Sequence, residues 1–155
     1  MELLESAMNP VSKALVVASL VSVSGLAQAI DIEIGSSTID VGQADTLVSV
    51  SSSLGGCTPG SSTKAETCWA NSVLDPNATF FAKEETVTYY QTDTANLYAF
   101  ALVGDPGYYI IKNAGYWALF QNLASTDWGV FSTLDLPGGM NLGGTGELTI
   151  SHVTS

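Results

Sequence analysis

The residues able to do chemistry are few: one histidine, two cysteines and 15 carboxylates against four basic residues in 155. His152 could act as a general base or bind a metal. Neither Ser151 beside it nor any glycine-flanked serine forms a recognisable nucleophile motif with it. Its place near the end of the last apolar segment, beside Ile150, reads as that of a structural histidine. Asp31/Glu33 and Glu84/Glu85 are the carboxylate pairs that could serve glycoside hydrolysis. In a strand, adjacent Glu84 and Glu85 point to opposite faces, and Asp31 and Glu33 share a face expected to meet solvent. Both pairs read as solvated charges. No D-x-D-x-D-G loop marks a calcium site. The sequence therefore predicts no catalytic residue, no metal ligand and no cofactor, and the chain is not expected to be an enzyme.

Cys57 and Cys68 are the only cysteines. A zinc site needs four ligands, which a single histidine cannot complete. A disulfide is expected, closing a loop of about 12 residues and worth roughly 3 kcal/mol in the chain-entropy account. That pairing requires an oxidising compartment. The N-terminus supplies one: Lys13 is a positive n-region, Ala14–Leu26 an uncharged apolar run, and Ala27-Gln28-Ala29 a small-x-small cleavage pattern. Residues 1–29 read as a secretory signal peptide, cut before Ile30. The apolar run is too short, and too rich in serine, for the roughly 20 residues of a membrane span. Glu2 and Glu5 do not suit an n-region, which makes Met8 a candidate true start.

The four basic residues, Lys13, Lys64, Lys83 and Lys112, leave a net charge of −11. No basic surface is available to displace counterions from phosphates, so nucleic-acid binding is not expected. Hydrophobic residues make up 46% and charged ones only 12%, a balance that buries a core.

The elements that would position any site are short. Val87–Gln121 holds all six tyrosines together with Trp117, Phe100 and Phe120. Thr92-Asp93, Gly104–Gly107 and Asn113–Gly115 cut it into blocks rich in aromatic and branched residues, which favour strands. Further strands are expected at 31–34, 46–50, 79–81, 128–131 and 147–153, with a turn at 35–38 and glycine-rich loops at 51–63 and 135–146. Lys64–Leu74 is the one helix expected, capped by Thr63 with Glu66 at capping-box spacing and stopped before Pro76. The predicted fold is an all-β, antiparallel sandwich, jelly-roll-like, with one short helix, forming a single domain over residues 30–155.

The tyrosine pairs sharpen this expectation. Tyr89-Tyr90 and Tyr108-Tyr109 must each put one ring on either face of a strand. Either both faces are covered, or one is an aromatic surface. Trp69, Tyr89, Tyr108, Tyr116, Trp117 and Trp128 are the candidate ligand-facing aromatics, and rings of this kind stack on sugars.

The phrases ETCWANSVL, VTYYQTD, YAFAL, DPGYYIIKNAGYWALFQN, WGVF and ELTISHVTS, in that order over residues 66–155, resemble the ectodomains of bacterial exosortase-sorted proteins, the PEP-CTERM group. The Pro-Glu-Pro motif, membrane helix and basic tail of that group are absent from these 155 residues. The resemblance implies a secreted, biofilm- or matrix-associated protein of a Gram-negative bacterium, with no functional residue to carry over. The function expected is that of a non-catalytic surface or matrix component that self-associates into an oligomer or filament, or meets extracellular polysaccharide. The alternative is a carbohydrate-binding module using exposed aromatics.

Overall fold

A computed structural model describes residues 29–57, 62–104, 106–123, 127–137 and 150–155. The expected signal segment up to Gln28, the Pro59-Gly60 turn and the glycine-rich stretch beyond Pro137 lie outside the described residues. Among the described residues, no helix is long and apolar enough to cross a membrane.

The strands are β1 (Ile30–Ile34), β2 (Ser37–Gly42), β3 (Thr46–Ser51), β4 (Lys83–Glu84), β5 (Tyr90–Gln91), β6 (Leu97–Ala101), β7 (Tyr108–Lys112), β8 (Trp117–Gln121), β9 (Trp128–Ser132) and β10 (His152–Thr154). The single helix is α1 (Thr63–Asn71). All pairings are antiparallel. One sheet has five strands in the order β3-β8-β7-β10-β4, another has three in the order β5-β6-β9, and β1-β2 forms a separate hairpin. The β7–β8 connection turns on Asn113. Its Oδ1 accepts hydrogen bonds from the N–H groups of Gly115 and Tyr116, each at 2.8 Å. A short polar side chain holding its own turn in this way is why asparagine recurs at such positions.

Strand alternation then builds four layers. Tyr109, Ile111, Ala118 and Phe120 of the five-stranded sheet face Phe100 and Phe131 of the three-stranded sheet. The residues between them face outward. Ile110 and Leu119 pack under α1 against Ala65, Trp69 and Ala70. On the far side, Ala99 and Val130 pack under the β1-β2 hairpin against Ile30, Ile32 and Val41. The order through the molecule is helix, sheet, sheet, hairpin. At the centre the rings meet mostly edge to face: Phe100 and Tyr109 have centroids 5.2 Å apart at 86°, and Tyr109 stacks on Phe120 at 5.3 Å. Each such pair adds about 0.5–1.5 kcal/mol beyond its burial.

The all-β sandwich and its short helix agree with the sequence. The details differ in instructive ways. Ser37–Thr38 belongs to β2 and not to the preceding turn, because Gly35 (φ 65°) completes a tight reversal that lets pairing begin at Ile34↔Ser37. Residues 79–81 form no strand; Phe80 is a core plug under α1, and β4 starts at Lys83, after backbone bonds from Phe81 and Ala82 to Ser155. The strand expected over 87–91 shrinks to Tyr90–Gln91. Helix α1 begins on Ser62, whose Oγ accepts the Ala65 N–H at 3.3 Å, and not on Thr63. Moving the cap back by one residue releases Glu66 from the capping-box role and turns it inward.

Gly129 shows how tight the sandwich is. A Cβ there would lie 2.7 Å from Phe100 Cζ and 3.2 Å from Tyr109 Cε1. Overpacking of this kind costs about 1–3 kcal/mol. Gly129→Ala is therefore expected to lower the urea midpoint by that equivalent without changing the far-ultraviolet spectrum; an unchanged midpoint would show that the two sheets are further apart than described.

Candidate functional site

Cys57 and Cys68 form the expected disulfide, with Cα atoms 5.8 Å apart. It joins the end of the β3 loop, where the Cys57 N–H donates to Leu54 O at 3.1 Å, to the middle of α1. Cys57 also packs against the cluster of Leu54 and Trp69.

Beneath the first turn of α1 lies the main polar cluster of the helix–sheet layer. The register pairs His152 with Lys112 and Lys112 with Trp117, so these three residues form one row across the sheet. Thr154 stands one pleat away on the same face of β10. Glu66 descends onto this row and is fully buried. Its Oε1 meets His152 Nε2 at 2.8 Å and accepts from Trp117 Nε1 at 3.3 Å. Its Oε2 accepts from the Thr154 hydroxyl at 2.6 Å. Lys112 Nζ sits 5.0 Å above the Trp117 ring and donates to Asn113 O at 3.0 Å. Burial, the largest influence on Glu66, pushes its carboxyl upward. The hydrogen bonds from His152, Thr154 and Trp117 and the His152 field together outweigh it, and hold the group below its ordinary value of 4.5. The carboxylate is therefore an acceptor with three donors, and His152 Nε2 must carry a hydrogen to serve as one of them.

The other side of the ring touches Ser151, whose Oγ lies 3.3 Å from His152 Nδ1. Ser151, His152 and Glu66 thus form a serine–histidine–carboxylate chain that the sequence did not reveal. Its chemistry is limited by two observations. The Ser151 hydroxyl has one hydrogen, and Lys112 O, at 2.9 Å, competes for it at shorter range than the imidazole. The ring itself is closed off, with His152 at 3% exposure. A general base must reach the proton that it removes from a substrate. The arrangement ties β10 and β7 to α1; it does not present a base to solvent.

A second buried carboxylate, Asp45, lies at the edge of the sandwich. Its Oδ2 accepts from Tyr109 Oη at 2.9 Å and from the Val130 N–H at 2.7 Å, and its Oδ1 accepts from the Leu123 N–H at 2.8 Å. Its own N–H donates to Val130 O at 2.7 Å. One residue thereby satisfies both backbone groups of Val130 on the open edge of β9, as a neighbouring strand would. Burial and the Asp45 charge push the Tyr109 phenol well above its ordinary value, so it remains a donor.

The candidate aromatics are spread over all the layers. Trp69, at 5% exposure, lies in the core beneath α1 and shows no face to a ligand. Tyr108 and Trp117 flank that same cluster, while Tyr89 and Tyr116 pack on the sandwich core. Each tyrosine pair does straddle its strand: Tyr89 joins the sandwich core and Tyr90 the hairpin layer, while Tyr109 joins the sandwich core and Tyr108 the helix layer. The Tyr89 hydroxyl is buried without a hydrogen-bond partner, and burial pushes its pKa up. Two candidates stand at openings: Tyr108 on a cleft beside Phe80, Phe81 and Val103, and Trp128 on another beside Tyr90. Of the carboxylate pairs, Asp31 donates its backbone N–H to Asp93 Oδ1 at 3.2 Å, Glu33 Oε1 accepts from the Thr38 hydroxyl at 2.6 Å, and Glu85 pairs with Lys83. No group of three or more histidine, cysteine or acidic residues suited to a metal ion occurs among the described residues. No protein-family model matches the chain, and neither a curated protein nor a solved structure matches it.

Glu66→Ala would strand the donors of His152, Thr154 and Trp117, and each buried donor left without a partner costs about 1–3 kcal/mol. A carboxylate with a lowered folded-state pKa stabilises the fold above its unfolded value, and that contribution is lost as pH falls through the folded value. The native protein is therefore expected to lose stability on acidification below 4.5, with Glu66→Gln, which cannot titrate, showing the shallower fall in chemical denaturation. Parallel pH profiles for the two proteins would remove Glu66 from this role.

Proposed function

We propose that the protein is a non-catalytic, secreted β-sandwich acting as a surface or extracellular-matrix component, in line with its resemblance to the PEP-CTERM group. One observation carries the reading: the single histidine and its carboxylate are spent on each other inside the fold, at 3% and 0% exposure. Groups held in this way rigidify a protein rather than act on a substrate. The Cys57–Cys68 disulfide suits an oxidising compartment, and the N-terminal segment reads as the means of reaching it. A sparsely charged, acidic chain also suits a component that persists among neutral polymers outside the cell.

Expression of the whole chain in a Gram-negative host tests this reading. The extracellular or periplasmic fraction is expected to yield a product beginning at Ile30, with its mass lowered by the two hydrogens of one disulfide. Retention in the cytoplasm with residues 1–29 attached and both thiols free would contradict it.

A further inference from the structure

The hairpin does not cover the whole outer face of the three-stranded sheet. Ile30, Ile32 and Val41 cover Ala99 and Val130. At the other end of that face, Ala101 pairs with Trp128 in register, and Ala101 is exposed. The segment from Glu84 to Tyr90 forms a wall beside this end, leaving a cleft of about 230 Å³ lined by Glu84, Thr86, Val87, Thr88, Tyr90, Ala101 and Trp128. Tyr90 and Trp128 meet at 72° with centroids 5.9 Å apart, making an aromatic corner. The small side chain of Ala101 leaves room beside the indole. Among the described residues, the side-chain oxygens of Glu84, Thr86 and Thr88 form no hydrogen bond within the fold.

We propose that this cleft binds one uncharged sugar residue of a polysaccharide, seated against the Trp128–Tyr90 corner with its hydroxyls facing Glu84, Thr86 and Thr88. The chemistry of the walls selects the occupant. An amphipathic ring corner takes the apolar C–H face of a pyranose, and hydroxyl and carboxylate oxygens take its O–H groups. Pockets that enclose drug-sized molecules run from about 300 to 1,000 Å³, so a smaller, open cleft suits a single ring whose chain continues into solvent. Glu84 in the wall and a net charge of −11 oppose uronates and sulfated sugars. The inference goes beyond the proposed surface role. It is measured on purified protein, so its failure is distinct from a failure of export.

The test is titration of the purified protein with soluble oligosaccharides of glucan, mannan, galactan and xylan, alongside polygalacturonate fragments, following tryptophan fluorescence and the Trp128 indole N–H resonance. At least one neutral series is expected to bind and to shift that resonance. Trp128→Ala is expected to weaken binding tenfold or more. Ala101→Arg fills the cleft from an exposed position, so it is expected to abolish binding while leaving the thermal midpoint in place. It keeps the test decisive if Trp128→Ala fails to fold. Binding that survives Ala101→Arg, binding confined to the acidic fragments, or no binding by any neutral series would each overturn the proposal.

Discussion

The carboxylate of Glu66 is taken out of water, and the arrangement of the molecule follows from giving it partners. A buried charge without donors is costly, so His152, Thr154 and Trp117 must converge on one point beneath α1. They come from β10 and β8, with β7 between them. Only the observed register places His152 and Trp117 in one row, and a slip of one residue would turn every side chain of β10 to the opposite face. The joint thus fixes position more than it adds net stability, since a buried polar cluster often does little better than apolar groups of the same shape.

This fixing matters because the central strands are apolar on both faces. Ile110 and Leu119 need a cover, and the cover is a helix of nine residues. Helices so short are marginal alone in water. Here α1 is held by Trp69 and Ala70 in the core, by the disulfide at Cys68 and by Glu66. Asp45 plays the matching part at the sandwich edge. It holds the hydroxyl of Tyr109, whose ring lies at the centre of the core, and occupies the β9 edge that would otherwise be open to another strand.

Much of this was legible in the sequence. Short aromatic blocks between turn residues gave the strands, and the paired tyrosines required a ring on each face without deciding whether both faces are covered. The sequence could not show which elements would cover them, because the hairpin at Ile30–Gly42 and the helix lie far from Val87–Gln121 along the chain. The two buried carboxylates were hidden for the same reason. Glu66 meets His152 across 86 residues and Asp45 meets Tyr109 across 64, and neither has a local pattern apart from its neighbours. One signal was available for Glu66: it shares a helical face with Trp69 and Ala70, the core residues of α1. The capping-box spacing gave that glutamate a capping role at the helix N-terminus, and the true cap at Ser62 removes it. The histidine reads as structural from its place beside Ile150, and its partner Glu66 was not visible from there.

The central claim is that helix, sandwich and hairpin form one cooperative unit, joined through buried polar contacts as well as apolar packing. Native-state hydrogen exchange tests it most directly. The account predicts that the slowest amides of α1, such as Ala70, and those of β1, such as Ile32, exchange with the same free energy as those of β7, and all respond alike to denaturant. Exchange of α1 through a local opening several kcal/mol below the global value would contradict it, and would make the helix a detachable lid over the β7–β8 face.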